Sequence, residues 1–179
     1  MKSIQSQIFW ITILFFMSGF IHISLSLLGA ICFILPFIQY LKYKDKVWCK
    51  YYCPRAGFFS KILSKLSLGL ELPKLLRDKS LSKGVVIYFS VNMFFVLMST
   101  IMVTIGNIQP IEQIRFLMAF PLPIQLPQLM DLNIAPSLIH LGYRIFSMMF
   151  TSVTIGLALG ILYKPRTWCI ICPINTLTK

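Results

Sequence analysis

Three long apolar stretches without a charged side chain dominate the sequence: residues 8–41, 85–105 and 145–163. Hydrophobic residues make up 57% of the chain and charged residues only 12%. A soluble protein needs polar groups over most of its surface, whereas a transmembrane helix needs about 20 consecutive apolar residues. A membrane-spanning segment must also satisfy its own backbone hydrogen bonds. The sequence therefore predicts an all-α, polytopic membrane helix bundle.

The first apolar stretch is too long for one simple span. As a single helix, residues 8–41 would extend about 50 Å, beyond a hydrocarbon core of about 30 Å. The segment must either tilt and protrude, which gives three spans, or fold back as a hairpin, which gives four. Glycine and polar side chains at residues 18–22 favour a turn there. We expect four spans, with three as the alternative.

The segment between the second and third stretches is rich in proline. Residues 107–136 contain Pro110, Pro121, Pro123, Pro127 and Pro136. Proline inside a helix removes a hydrogen bond and clashes with the preceding turn. This segment is therefore predicted to be an outer loop, with at most a short surface helix around residues 111–120.

Two similar motifs indicate an internal repeat. They are Val47-Trp48-Cys49-Lys50-Tyr51-Tyr52-Cys53-Pro54 and Thr167-Trp168-Cys169-Ile170-Ile171-Cys172-Pro173, which differ by one inserted residue. We predict one membrane domain, residues 1–179, made of two helix-hairpin repeats that each end in a Cys-Pro motif. Residues 1–66 would form the first repeat and residues 84–179 the second. The first repeat would include an interfacial amphipathic helix, because apolar residues recur there at helical spacing: Phe58, Phe59, Ile62, Leu63, Leu66 and Leu70.

The distribution of basic residues predicts the orientation. Residues 42–83 contain eleven Lys and Arg against three acids, whereas the proline-rich loop contains only one basic residue, Arg115. The tail adds Lys164, Arg166 and Lys179. The positive-inside rule then places both cysteine pairs in the cytoplasm and the loop outside. The net charge of +12 does not indicate nucleic-acid binding, because the basic residues flank apolar runs, where anionic lipid headgroups attract them.

Four of the five cysteines form two close pairs, Cys49/Cys53 and Cys169/Cys172, each followed by proline. Two thiolates at this spacing can bind one metal centre, and soft thiolates select iron–sulfur clusters, zinc or cuprous copper. Four thiolates are the complement for one [4Fe–4S], one [2Fe–2S] or one tetrahedral zinc. The fifth cysteine, Cys32, lies inside an apolar run and is interpreted as a packing residue.

These motifs resemble those of a known family. The residues that carry the resemblance are Trp48-Cys49-x-x-x-Cys53-Pro54-x-x-Gly57 and Arg166-Thr167-Trp168-Cys169-x-x-Cys172-Pro173-x-Asn175. They look like the membrane-embedded 4Fe–4S-binding domain of ferredoxin-like membrane subunits that serve periplasmic nitrate reductase and nitrous oxide reductase, and of cytochrome oxidase assembly factors. The second pair departs from the family's usual spacing, because only two residues separate its cysteines.

The resemblance implies a membrane electron-transfer protein of the prokaryotic cytoplasmic membrane. Cys49, Cys53, Cys169 and Cys172 would hold an iron–sulfur cluster, [4Fe–4S] by analogy, at the cytoplasmic face. Electrons would pass between a membrane donor such as quinol and a partner protein. Since the chain ends six residues after Pro173, we expect ligands for one cluster rather than a longer relay.

Two other functions use the same thiolates. The first is a copper-handling or oxidoreductase-assembly membrane protein, and the second is a scaffold whose loop and tail are joined by zinc. A redox-active dithiol pair is a further possibility. The sequence contains no Gly-rich phosphate loop, hydrolytic triad or carboxylate pair, so whether the protein is an enzyme stays open.

His22 and His140 are the only histidines. Histidines on neighbouring helices can ligate haem or a metal, which makes this pair a second candidate metal site. Both are also expected near helix ends, where a histidine is well accommodated among lipid headgroups. The second interpretation is the one we favour.

Overall fold

The computed structural model describes residues 4–5, 7–44, 47–123, 126–129 and 134–178. The structure is mostly helical, with 70% helix and 2% strand, which confirms the all-α prediction. Among the described residues, three helical segments are long and apolar enough to cross a membrane: Ile23–Tyr43, Lys79–Ile105 and Pro136–Leu162. Their length and composition support the prediction of a polytopic membrane protein.

In chain order, the elements are α1 (Trp10–Ile21), a 3₁₀ helix (Ile23–Ala30), α2 (Ile31–Tyr43), a π-helical turn (Trp48–Tyr52), α3 (Pro54–Ile62), α4 (Lys74–Arg77), α5 (Lys79–Ile105), β1 (Arg115–Phe116), β2 (Phe120–Pro121), α6 (Pro136–Leu162), α7 (Thr167–Ile171) and α8 (Pro173–Leu177).

The first apolar stretch breaks at His22, inside the segment where a turn was predicted. α1 ends at Ile21, and His22 is extended, with φ −157° and ψ 132°. Its ring Nδ1 accepts a hydrogen bond from the Ser24 N–H at 3.2 Å. The chain folds back here, which brings Gly29 against the ring of Phe15. A methyl group added at Gly29 would lie only 2.8 Å from that ring. α1 has 12 residues and is about 18 Å long.

The C-terminal end of α5 is set by a glycine. Gly106 has φ +85°, a left-handed conformation that a residue with a Cβ rarely adopts. Its N–H donates to the Val103 carbonyl at 3.1 Å, and the N–H of Asn107 donates to the Met102 carbonyl at 3.0 Å. These two bonds form a Schellman motif, which satisfies carbonyls that the end of the helix leaves without partners.

The proline-rich loop contains two short strands where a surface helix was predicted, so that prediction is wrong. Strands β1 and β2 pair antiparallel, with Arg115 opposite Pro121. The Arg115 N–H donates to the Ser147 Oγ at 3.0 Å, and the Leu117 N–H donates to the Thr151 Oγ1 at 3.1 Å. The side chains of α6 therefore satisfy backbone N–H groups of this loop that would otherwise form the hydrogen bonds of a helix.

The chain divides into two compact units. The first comprises Met1–Ile13, Cys32–Phe89 and Val153–Lys179, and the second comprises Leu14–Ile31 and Ser90–Ser152. The second unit has a hydrophobic core of five buried side chains: Ile23, Ile114, Leu126, Tyr143 and Phe146.

The first unit is organised around the contact between α3 and α6. Phe59 and Leu63, four residues apart, are fully buried, and each lies against a glycine of α6 at the same spacing, Gly156 and Gly160 respectively. A methyl group at either glycine would collide with the facing side chain. Small residues spaced four apart allow close approach between membrane helices, and here they admit two large apolar side chains.

The predicted amphipathic helix is shorter than expected. α3 ends at Ile62, whereas the apolar pattern extends to Leu70. Beyond it, the N–H groups of Leu68 and Leu70 donate to the carbonyls of Ile161 and Leu162 at 2.7 and 3.3 Å. The last carbonyls of a helix lack internal partners. The carbonyls at the end of α6 therefore accept hydrogen bonds from Leu68 and Leu70, and these two residues do not continue α3.

Candidate metal centre

The two cysteine motifs end in the same way. Cys53 is extended (φ −69°, ψ 111°) and precedes α3, whose first residue is Pro54. Cys172 is extended (φ −57°, ψ 130°) and precedes α8, whose first residue is Pro173. Proline is favoured at the first position of a helix and forces the residue before it out of the helical region. Each Cys-Pro dipeptide therefore places its cysteine at a helix start.

The extra residue of the first motif lies in a π-helical turn. The Cys53 N–H donates to the carbonyl of Trp48, five residues earlier, at 2.9 Å. The corresponding part of the second motif, α7, is an α-helical turn. A π-helix closes its hydrogen bonds over one more residue than an α-helix does. The wider turn thus absorbs the inserted residue, and both motifs still end in an extended cysteine.

All four paired cysteines line one pocket, which lies within the first unit. The thiols are half-buried, and none of the five cysteines forms a disulfide. The cavity measures about 30 Å³, enough for about two water molecules or one metal ion. Its lining comprises Trp48, Cys49, Cys53, Arg55, Ala56, Phe59, Trp168, Cys169, Cys172, Ile174 and Asn175.

Burial keeps the thiols of the second pair protonated. The pKa of Cys169 is raised to about 12, first by burial and then by the nearby Cys53 and Cys172. Burial also raises the pKa of Cys172, although the positive charge of Arg55 opposes the shift. Burial alone would lower the pKa of Arg55, but the neighbouring Cys53 and Cys172 raise it. Arg55 is thus a cation placed to balance negative charge on these sulfur atoms.

Gln5 connects the two motifs, and nothing in the sequence pattern singled it out. Its side chain is only 2% exposed. The Nε2 donates to the Cys49 carbonyl at 2.7 Å, and the Oε1 accepts a hydrogen bond from the Arg166 guanidinium. The Gln5 carbonyl lies so close to Gly57 that any side chain at position 57 would collide with it. The glycine of the first motif therefore makes room for the N-terminal segment.

Two further residues that line the pocket, Asn175 and Trp168, have polar side-chain groups. The Asn175 Nδ2 donates to the Cys169 carbonyl at 2.7 Å and fixes the turn between Cys169 and α8. The indole Nε1 of Trp168 is buried and has no hydrogen-bond partner in the part of the chain that the structure describes. An unpaired buried donor is costly, so an acceptor in this pocket would stabilise it.

The donor set fits a thiolate-bound metal group. In the ranges that the structure describes, no three His, Cys, Asp or Glu side chains are already arranged around one metal position. The residues that line the cavity nevertheless include four cysteines, a balancing arginine and Trp168, whose buried N–H has no partner in the described chain. A single ion matches its present volume, whereas an iron–sulfur cluster requires the side chains that line it to spread apart.

The rings of the two histidines each make hydrogen bonds within the protein. The Nδ1 of His140 accepts from the Ile111 N–H at 3.1 Å, and its Nε2 lies 3.0 Å from the Ser99 hydroxyl. The Nδ1 of His22 is bonded to the Ser24 N–H. A metal bound by His140 would have to displace one of its bonds. The shared His22–His140 site stays a prediction, and both rings have structural roles without it.

Cys32 lies in α2 and is half-buried. It is close enough to Arg55 and Cys53 for their charges to interact. It does not, however, belong to the residues that line the cysteine pocket. Cys32 is therefore a useful control for the four pocket cysteines.

Comparisons with protein-family models, with curated proteins and with solved structures yield no match. The functional argument therefore rests on the geometry and chemistry of the cysteine pocket.

Proposed function

We propose that this chain is a membrane electron-transfer protein that binds one iron–sulfur cluster, [4Fe–4S] by analogy with the family its motifs resemble, through Cys49, Cys53, Cys169 and Cys172. The observation that carries the proposal is the convergence of both cysteine pairs on one pocket. Cysteines far apart in the sequence are brought together there by α3, α7 and α8. Four cysteine thiolates are the usual ligand set of such clusters. When bound, the cluster would supply one-electron chemistry.

The surrounding residues have defined roles in this proposal. Arg55 would balance the net negative charge of the thiolate-bound cluster, and the Trp168 N–H would donate to a sulfur atom. Gln5 and Asn175 would hold the backbone of Cys49 and Cys169 in place through their carbonyl hydrogen bonds. The resemblance of the motifs to the membrane-embedded 4Fe–4S-binding domain supports the same assignment.

We also propose four spans arranged as two helix hairpins, with both cysteine motifs in the cytoplasm. Two observations support the fourth span, namely the apolar character of α1 and the break at His22. Because α1 is about 18 Å long, it would cross only part of a hydrocarbon core of about 30 Å. The orientation rests on the positive-inside rule, since the basic residues flank the two motifs. The motif resemblance favours a prokaryotic cytoplasmic membrane, with a donor such as quinol and a partner redox protein.

Anaerobic purification followed by iron and sulfide analysis and EPR tests the cluster. We expect stoichiometric iron and sulfide, and loss of both in single Cys→Ser variants at the four pocket positions. Cys32→Ser is the matched control and should retain the cluster, because Cys32 does not line the pocket. A colourless protein that contains no iron after reconstitution would refute the proposal, as would equal losses in the control.

A mononuclear site is a second candidate, and the volume of the cavity favours it. A space of about 30 Å³ is large enough for one Cu(I) or Zn²⁺ ion, and the thiols would need to turn toward that ion to coordinate it. A copper-handling or assembly protein would bind Cu(I) stoichiometrically without forming a cluster, and Cys49→Ser or Cys169→Ser would abolish binding. In a zinc-joined scaffold, the same variants would lower stability and leave electron transfer unchanged.

A further inference from the structure

A second pocket lies in the second unit, under the proline-rich loop. Its cavity measures about 660 Å³, within the usual size range of small-molecule sites. Six of the lining residues have polar side chains: Gln109, Glu112, Gln113, Arg115, Gln128 and Tyr143. This pocket contains no cysteine and differs in chemistry from the candidate metal centre.

Two hydrogen-bond donors in the wall of this pocket are unpaired. The Nε of Arg115 and the Nε2 of Gln128 are buried and have no partner within the described ranges. The orientation of the Gln128 amide is fixed, because its Oε1 accepts a hydrogen bond from the Ile23 N–H at 2.8 Å. The amide nitrogen is therefore the group that remains available. Leaving such donors buried and unpaired costs free energy that a bound acceptor would recover.

The loop that carries Arg115 is held firmly to α6. The backbone N–H of Arg115 donates to the Ser147 Oγ, and the backbone N–H of Ile111 donates to the His140 Nδ1. His140 is itself completely buried and lies within hydrogen-bond distance of Ser99. These bonds fix the backbone from which the Arg115 side chain extends, so that backbone loses little conformational freedom when a ligand binds.

The charges in this region favour an anion. Arg144 of α6 lies close enough to Arg115 for the two guanidinium charges to repel, and its Nε is also buried without a partner in the described chain. An anion beside Arg115 would relieve that repulsion. Glu112 also lines the cavity, but its side chain is exposed and so is well solvated.

We propose that this pocket binds an oxyanion, a phosphate or carboxylate group, through the side-chain donors of Arg115 and Gln128. Arginine and amide donors suit oxygen atoms that carry negative charge. Since both donor atoms are covered by the pocket wall, binding includes a shift of the side chains over them. The oxyanion is either a free anion or the headgroup of an anionic lipid.

Thermal unfolding in neutral detergent, followed by tryptophan fluorescence, tests the site with two sets of probes. Inorganic phosphate is compared with sodium chloride at equal ionic strength, and phosphatidylglycerol in the micelles is compared with diacylglycerol. A ligand that binds only the folded protein raises the midpoint in a saturable way. A shift with phosphate supports a free anion, and a shift with phosphatidylglycerol alone supports a lipid headgroup.

Three variants separate the pocket from general charge effects. Arg115→Gln should weaken the effective probe at least tenfold, which corresponds to the loss of one charge-assisted hydrogen bond. Gln128→Glu keeps the acceptor for Ile23 but removes the donor, so it should weaken binding even if Arg115→Gln fails to fold. Arg77→Gln changes an exposed arginine of α4 and should bind as the wild type does. No shift with either probe, or an equal shift in Gln128→Glu and wild type, overturns the proposal.

Discussion

Replacing Gly156 by alanine would test how α3, which begins directly after Cys53, is held against α6. The added methyl group would lie 2.8 and 3.1 Å from two ring carbons of Phe59, and closer still to the ring tip. The Phe59 ring is completely buried, and Phe59 lines the cysteine pocket of about 30 Å³, so the ring can move aside only by displacing its neighbours or by entering that small pocket. Overpacking of this kind costs about 1–3 kcal/mol.

Gly84→Ala is the matched control, because Gly84 also lies inside a long helix but has nothing within 4 Å of an added Cβ. Both substitutions bring the same gain in helix propensity, up to about 1 kcal/mol. The difference between the two variants therefore isolates the steric term. We expect Gly156→Ala to be less stable than Gly84→Ala by about 1–3 kcal/mol.

SDS-induced unfolding in mixed micelles, followed by tryptophan fluorescence, measures this difference; two of the three tryptophans, Trp48 and Trp168, lie at the site. Phe59→Leu should partly restore the stability of Gly156→Ala, because the smaller side chain leaves room for the methyl group. A double-mutant cycle should then give a coupling energy of at least about 0.5 kcal/mol. Equal stability of the two alanine variants, or no coupling with Phe59, would show that the α3–α6 contact does not hold the site.

Three further predictions concern the cysteine pocket. Gly57→Ala should destabilise the protein more than Gly156→Ala in the same SDS assay. The methyl group added at position 57 would meet the backbone carbonyl of Gln5, which cannot rotate aside as a side chain can. A smaller loss of stability than in Gly156→Ala would contradict this. Trp168→Phe should keep the proposed cluster but lower its reduction potential in an EPR-monitored titration, since a donor to sulfur is lost; an unchanged potential would count against that hydrogen bond. In the metal-free protein, alkylation of Cys169 should stay slow until the pH approaches its pKa of about 12, whereas a free thiol has a pKa of 9.0. The free energy of unfolding should also fall as the pH rises above 9, because only the unfolded chain then loses this proton. Peptide mapping of iodoacetamide-treated protein checks the rate, and a plateau near pH 9 would contradict the buried position of the thiol.

Much of the fold follows from signals that are local in the sequence. The C-terminal ends of α5 and α6 were predicted to within one residue, because the apolar runs stop there. Both helices begin earlier than the apolar runs do, at Lys79 and Pro136. The strands β1 and β2 were not predicted, because the hydrogen-bond acceptors that hold them are Ser147 and Thr151, far away in the sequence. Such partners become visible only once the chain has folded.

The candidate site likewise combines features that the local sequence predicts with features that depend on residues distant in the sequence. The spacing and softness of the thiols singled out four candidate ligands, and the repeat suggested that the two pairs belong together. The structure places all four cysteines on one pocket. Gln5 was missed because a polar residue before an apolar stretch has no distinctive pattern, and its partners Cys49 and Arg166 lie far along the chain. The charge balance at Arg55 likewise depends on the fold, since it involves both motifs.

The π-helical turn at Trp48–Tyr52 changes what should count as the same motif. Because the turn takes up one residue without moving the start of the helix that follows, the number of residues between the cysteines is free to vary between two and three. What both copies keep is the tryptophan before the first cysteine and the proline after the second. Related chains should therefore be sought by those two flanking residues, with either spacing accepted in either half.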